Sequence, residues 1–288
     1  MERFQKKYNI IFIIPALIVI IVLLIAPMVM GIEISLTNLD YLKNTDSFVG
    51  LKNYIRAFSD KLFYFSVIRN ITYVIIVTSF NFIIGYWMAI ICYQKFRLNK
   101  LFRFIIILPM LLIPASAGLL WRFLYNYDIG IVNKALTVLG LGRVGWLIDP
   151  NLALISVIIT DIWAWTPWMF LILLAGIENL DKHILEAANI DGANFFQLNK
   201  YIIIPVTSPI IKIAISLKAI ETFRTFDYVW IMTRGGPGGA SDITSTYIFK
   251  QATSSLQYGY SSALGIIVMA IMVLLTFFIV RKWIMRAA

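Results

Sequence analysis

Six stretches of this chain are long and apolar enough to cross a hydrocarbon layer, and they restrict its fold more than any other feature. The first runs from Ile10 to Met30, IIFIIPALIVIIVLLIAPMVM, without a charged residue. The others are Ile71–Cys92, Phe104–Leu124, Leu152–Ile177, a longer segment from about Ile202 to Met232, and Ala263–Val280. A helix needs about 20 apolar residues to span a bilayer core. Nothing there except the chain itself can satisfy backbone N–H and C=O groups, so each span must be a helix or belong to a closed barrel. The chain is 60% hydrophobic and 14% charged, against about 45–50% and about 25% in soluble domains. The expectation is an all-α integral membrane protein of six transmembrane helices, organised as one membrane domain over residues 1–288. The first run follows Lys6-Lys7, as a secretory signal does. Its apolar part exceeds the usual stretch of about 7–15 residues and no Ala-x-Ala site follows, so it reads as a retained span.

The net charge of +10 would point to nucleic acid in a soluble protein. Here Lys and Arg held at span ends account for it, and no nucleic-acid partner is expected. A single cysteine, Cys92, excludes an internal disulfide, and a single histidine, His183, argues against a His-rich metal site. With six spans, both termini share a side with loops 93–103 and 178–201. That side carries Arg3, Lys6, Lys7, Lys95, Arg97, Lys100, Arg103, Lys182, Lys200, Arg281, Lys282 and Arg286, twelve in all. The opposite loops are longer and carry eight: Lys43, Lys52, Arg56, Lys61, Lys134, Arg143, Arg234 and Lys250. Cytoplasmic loops retain the basic excess, so both termini are expected in the cytoplasm.

That orientation puts a soluble-looking interruption, ILEAANIDGANFFQLNKYIIIP from Ile184 to Pro205, in the cytoplasm as well. Two short helices are expected there, with Gly192 at the turn because a Cβ is costly in such a conformation. Glu186 is expected at the start of the first helix, where the dipole favours a carboxylate. Ala187 and Ala188 leave room for another backbone. Ile184, Leu185, Ile190, Phe195 and Phe196 need a surface to cover them, either lipid headgroups or a cytoplasmic protein. The thin basic face, only Lys182 and Lys200, favours the protein.

Glu186-Ala187-Ala188, Gly192 four residues on, then Ile202 and Pro205 resemble the EAA loop of ABC-importer permeases. The family usually has Leu where this chain has Ile204. Further blocks resemble carbohydrate permeases of the maltose/glycerol-phosphate type: FVGLKNYIRAF (Phe48–Phe58), FRFIIILPMLLIPA (Phe102–Ala115), WLIDPNLAL (Trp146–Leu154) and the segment Phe226–Ala252 with its Thr-x-Gly-Gly-Pro element, Thr233–Pro237. The resemblance implies a type I ABC importer permease with a cytoplasmic coupling loop over 184–205. In that loop Glu186, Ala187, Ala188, Asp191 and Gly192 engage an ATP-binding subunit. It also implies a second, homologous permease subunit in a heterodimer, two ATP-binding subunits carrying ATP and Mg, an extracellular solute-binding protein and a carbohydrate substrate. The location it implies is the bacterial cytoplasmic membrane, with the chain multi-pass and surrounded by lipid.

Polar residues inside spans are candidates for a pathway. Lys218, Glu221, Thr222 and Thr225 fall on one helical stripe of the fifth span, either as an ion pair facing the bundle or as the lining of a cavity. Asp161, Trp165 and Trp168 share a stripe of the fourth span, with Trp163 on another face, and aromatic rings suit the apolar faces of sugars. Pro109, Pro114 and Pro167 interrupt helical hydrogen bonding. Gly235-Gly236-Pro237-Gly238-Gly239 lacks the Gly-Lys-Ser/Thr of a phosphate loop, so this chain is expected to bind no cofactor and to draw its energy from partners. Two alternatives stand beside the carbohydrate permease. One is a permease for oligopeptides or polyamines. The other is a membrane enzyme, for which Asp161 and Glu221 are the one available carboxylate pair, without the His or metal cluster that such chemistry uses. A secondary transporter would show internal repeats, and none is evident.

Overall fold

The structure, a computed structural model, describes residues 14–279 apart from 16, 95 and 96, together with residue 281. Helix α1 covers Leu17–Ser35, with one wide π turn at Ile21–Ile25. Then follow α2 (Lys52–Ser59), α3 (Lys61–Tyr93), α4 (Asn99–Ile107, continued by a 3-10 turn to Leu111), α5 (Pro114–Leu124), α6 (Ile131–Val138) and α7 (Pro150–Glu178). After these come α8 (Lys182–Ile190), α9 (Phe195–Phe223, with a π turn at Asn199–Ile203), α10 (Asp227–Met232), α11 (Thr244–Thr253) and α12 (Tyr258–Ile279). Among the described residues there is no strand, only isolated bridges such as Thr37 with Phe48. Among the described residues five helices are long and apolar enough to cross a membrane, and α4 with α5 makes a sixth if that bent pair is one span.

Two spans depart from the straight helices expected. Phe104–Leu124 is broken, and its halves meet at 97°. Ile113 lies in the extended region, ψ 138°, immediately before Pro114, which opens α5 as its first residue. A proline ring disfavours the helical conformation in the residue before it, yet suits the first turn of a new helix. The segment expected from Ile202 to Met232 is also two helices, since α9 stops at Phe223 and α10 starts at Asp227. A continuous helix would have carried Glu221, Arg224 and Asp227 through hydrocarbon, which is costly for each charge. Asp227 instead sits in the first turn of α10, where the helix dipole favours it. The second span begins ten residues earlier than expected, at Lys61 rather than Ile71. The start of the first expected span (10–13), Val280, Arg3, Lys6, Lys7, Lys95, Lys282 and Arg286 lie outside the described residues.

The described residues fall into two compact units. In the unit formed within 1–64 and 247–271, the chain after α1 is fixed by Asn53, whose amide donates to the Ser35 and Thr37 carbonyls at 2.9 and 2.7 Å. Asp60, just before α3, accepts from the hydroxyls of Tyr247 and Tyr260 at 2.6 and 2.5 Å. The Arg56 guanidinium lies 3.8 Å over the Tyr260 ring.

The unit formed within 65–246 and 272–288 is built around α7, on which fifteen residues are buried. Asp149 caps it by accepting from the Asn151 N–H at 2.8 Å, and Pro150 takes the first position, where its missing N–H costs nothing. Pro167 lies inside α7 without ending it. Alongside it the Thr166 hydroxyl donates to the Ile162 carbonyl at 2.6 Å. Helix α3 approaches α7 at Gly85, where a Cβ would stand 3.0 Å from the Phe170 backbone nitrogen and the Met169 side chain. Two apolar cores result, one around Tyr86, Phe170 and Leu173, the other around Tyr73, Val157 and Val229. Asn133 holds the loop after α6, donating to the Tyr127 and Val144 carbonyls and accepting from the Val144 N–H and Trp146 Nε1.

Candidate functional site

The second unit presents two features that its packing alone does not explain. One is a buried cluster of charges. Lys218, on α9, is 1% exposed. Its ammonium donates to Asp161 Oδ1 of α7 at 3.2 Å and to Glu221 Oε2 at 2.7 Å, and lies 4.6 Å from the centre of the Trp165 ring. The other Asp161 oxygen accepts from the Tyr73 hydroxyl of α3 at 2.7 Å. Three helices therefore meet at one carboxylate. An isolated ammonium in so dry a place would be prohibitive. Here two carboxylates and an aromatic face compensate it, the last by a contact of up to about 2 kcal/mol when desolvated.

The two carboxylates differ in surroundings. Asp161 is wholly buried, whereas the Glu221 side chain is 43% exposed and faces an open cavity of about 310 Å³. Trp165, Arg224, Thr225, Asp227 and Tyr228 also line that cavity. The break between α9 and α10 makes this possible, because it turns Arg224 and Asp227 back beside Glu221. The Ser245 hydroxyl, donating to the Thr225 carbonyl at 2.5 Å, fixes the connecting strand of chain.

Of the two expected stripes, the structure brings Asp161, Trp165, Lys218 and Glu221 together, and Thr225 joins them across the cavity. Thr222 is buried with no partner for its hydroxyl. Trp168 packs instead on the apolar core of Tyr86, Phe170 and Leu173, because the site uses only the part of its stripe facing α9. Tyr73, Arg224, Asp227 and Tyr228 belong to the site and had not been singled out. Arg224 and Asp227 carried a signal, as charges following closely on Glu221 inside an apolar run. Tyr73 carried none, since nothing in its neighbours distinguishes it from a packing tyrosine.

The second feature is the loop between α7 and α9. Asp181 caps α8 by accepting from the His183 N–H at 2.9 Å. Glu186 is the fifth residue of α8, not part of its first turn, and Asp181 rather than Glu186 occupies the dipole's positive end. Gly192 has φ +77° with open space where a Cβ would stand, so the backbone conformation itself selects glycine there. Asn194 and Gln197 then form a reciprocal capping box that restarts the chain as α9. Leu185 and Ala188 are buried and anchor α8. The stacked rings of Trp87 and Phe195 and the 2.8 Å bond from the Tyr86 hydroxyl to Asn199 hold the start of α9 against α3. The loop's tip stays uncovered: Glu186, Ala187, Asp191 and Gly192 are exposed, and Ile190 and Phe196 are 87% and 72% exposed. A pre-shaped, firmly rooted apolar tip of this kind suits insertion into another surface.

Comparison with known proteins gives these two features a context. The family model for the binding-protein-dependent transport system inner membrane component matches residues 81–287. The trehalose/maltose transport system permease protein MalF of Thermococcus litoralis is 33% identical over 263 residues, covering 91% of this chain and 89% of the relative. Among solved structures, a bacterial ABC transporter that imports the acidic polysaccharide alginate superposes with a TM-score of 0.84 at 20% identity, over 96% of each chain. A bacterial alginate ABC transporter in complex with an alginate pentasaccharide-bound periplasmic protein gives a TM-score of 0.82 at 22% identity, over 96% of this chain and 93% of that one.

Proposed function

The chain belongs to the binding-protein-dependent transport system inner membrane component family, a permease subunit and not an enzyme, and from that premise we propose that it forms half of the membrane pathway for a carbohydrate. The observation that carries the sugar reading is the cavity at the break between α9 and α10. There the Trp165 ring stands beside Glu221, Arg224, Thr225 and Asp227, an apolar face for a sugar ring bordered by groups that bond hydroxyls. The relative named for trehalose and maltose transport supports it. Oligopeptides and polyamines are the competing cargo. The other half of the pathway is a second, homologous permease subunit. A solute-binding protein delivers the sugar from outside, and both termini and the α8 loop lie in the cytoplasm of a bacterial cell. Two ATP-binding subunits hold ATP and Mg, while this chain binds no cofactor. They dock on Glu186, Ala187, Asp191 and Gly192, with the apolar tip of Ile190 and Phe196 entering their surface, while Ala188, expected among the docking residues, is buried and holds α8 against its own chain.

The test is uptake of radiolabelled maltose, trehalose and maltotriose into vesicles carrying the whole assembly, with ATP inside and the solute-binding protein outside. At least one sugar should enter, and Trp165→Ala should cut its uptake about tenfold or more, the order of a lost stacking contact. Uptake of a labelled oligopeptide or of spermidine in place of every sugar would refute the carbohydrate reading.

A further inference from the structure

We infer that the basic cleft between the start of α4 and the end of α7 holds the headgroup of an anionic phospholipid. An open cleft of about 580 Å³ lies there, bordered by Arg97, Lys100, Arg103 and Glu178 together with Leu98 and Leu101. The cavity beside Trp165 and Glu221 lies elsewhere and shares none of these residues. The charges are unequal, three cations against one carboxylate. Glu178 is engaged already, by Arg103 Nη2 at 2.7 Å. Arg103 is held further by Asn99 Oδ1 at 3.1 Å and the Cys92 carbonyl at 3.4 Å, so its guanidinium is set in place before any ligand arrives. Among the described residues Arg97 and Lys100 have no ion pair. They leave an exposed pair of cations beside a fixed third.

The apolar neighbours say what kind of anion fits. Leu98, Leu101 and Phe104 are 61%, 53% and 62% exposed, on the same turns that carry the cations. A soluble anion has no use for them. A phospholipid does, because its phosphate takes the guanidinium and ammonium donors while its acyl chains cover the leucines and Phe104. The cleft also stands where a headgroup would be, at the ends of two spans, α4 and α7. Basic pockets between spans near the membrane surface are recognised lipid-headgroup sites in general. The lipid then stands one ion pair from Glu178, three residues ahead of the Asp181 cap of α8, so occupancy steadies the stretch from which the exposed loop springs.

The experiment uses the complete assembly in nanodiscs of phosphatidylcholine with about 20 mol% phosphatidylglycerol, followed by native mass spectrometry and by titration with phosphatidylglycerol. One phosphatidylglycerol should stay bound per copy of this chain. The Arg97→Gln/Lys100→Gln variant should lose it, its titration shifting about 25-fold, as two juxtamembrane cations at about fivefold each imply. Arg97→Lys keeps the charge and should keep the lipid, as should Lys134→Gln, an exposed lysine on α6. If the double variant fails to assemble, Arg97→Gln alone should still shift the titration about fivefold relative to Arg97→Lys. Equal retention by wild type and the Gln variants would overturn the assignment. So would displacement of the lipid by about 10 mM inorganic phosphate, which would mark the cleft as a site for a soluble anion.

Discussion

Lys218 and Asp161 face each other at 3.2 Å from two different helices, neither more than 1% exposed. The neighbouring contact of Lys218 with Glu221 is shorter, 2.7 Å, but half open to the cavity. Distance alone would rank Glu221 as the stronger partner. Burial reverses the order, because an exposed ion pair is worth about 0–1 kcal/mol, whereas removing one partner of a buried pair costs about 3–5 kcal/mol through the charge left behind.

The first prediction follows from that ranking. Asp161→Asn should lower the yield of assembled complex and its thermal midpoint sharply, and Glu221→Gln should do so by about 1 kcal/mol or less. Lys218→Met together with Asp161→Asn should recover most of the loss, since the pair then leaves no uncompensated charge. Uptake separates structure from pathway. If the site carries substrate, Glu221→Gln assembles normally yet transports poorly, and the Lys218→Met/Asp161→Asn double variant stays defective in uptake after assembly recovers. Full transport by both variants would reduce the cluster to a structural tie.

Much of this arrangement was readable from the chain before folding. Six apolar runs set the helices, and the buried residues Asp161 and Lys218 stood out because charge is rare in such runs. What the chain could not disclose was their partnership. Asp161 and Lys218 lie 57 positions apart, and only the crossing of α7 and α9 brings them together. Periodicity grouped Lys218 with Glu221, three residues on, and that local contact exists but is the weaker one. The broken spans were half legible. Pro114 and the charges from Glu221 to Asp227 were visible, but length and hydropathy alone made Phe104–Leu124 and Ile202–Met232 look continuous. In the loop, the glycine turn was legible from Gly192. The register of α8 was not, because Asp181 rather than Glu186 provides its cap.

The second prediction concerns that loop. Gly192 sits at φ +77°, so Gly192→Val strains the turn by about 1–2 kcal/mol and shifts the exposed tip relative to its rooted base. Stimulated ATP hydrolysis and uptake should both fall about tenfold, while assembly of this chain with its permease partner persists. Phe196→Asp, at an exposed position, should have the same effect without touching the backbone. Wild-type coupling in both variants would remove the docking role from this loop.

The third prediction is a pH dependence of the other unit. Burial pushes the Asp60 carboxyl up, but the hydrogen bonds from Tyr247 and Tyr260 and from the Phe63 and Leu62 N–H groups outweigh it, leaving Asp60 below its usual value of 3.8. A carboxyl lowered on folding adds stability that is present above its unfolded value and is lost as pH falls through the folded one. The thermal midpoint of the assembly should therefore drop as pH is taken from about 5 to about 3. Asp60→Asn should flatten that slope and lower the midpoint at neutral pH. Tyr247→Phe/Tyr260→Phe, which removes both hydroxyl donors, should do the same. An unchanged slope in Asp60→Asn would show that other carboxylates set the acid limit.

The fourth prediction settles which side each loop faces, on which the docking role of α8 depends. Gln94, after α3, and Leu139, after α6, are both exposed, Leu139 to 73%. Ser241 is unsuitable as a probe despite lying in a polar loop, because it is fully buried and its hydroxyl donates to the Gly236 carbonyl. In a chain freed of its own thiol by Cys92→Ala, Leu139→Cys should react with a membrane-impermeant maleimide in intact cells. Gln94→Cys should react only in inside-out vesicles. The basic excess in loop 93–103 is the reason, since short loops rich in Lys and Arg stay in the cytoplasm. The reverse pattern would place the α8 loop outside, where no ATP-binding subunit reaches it, and the coupling assignment would fall with the orientation.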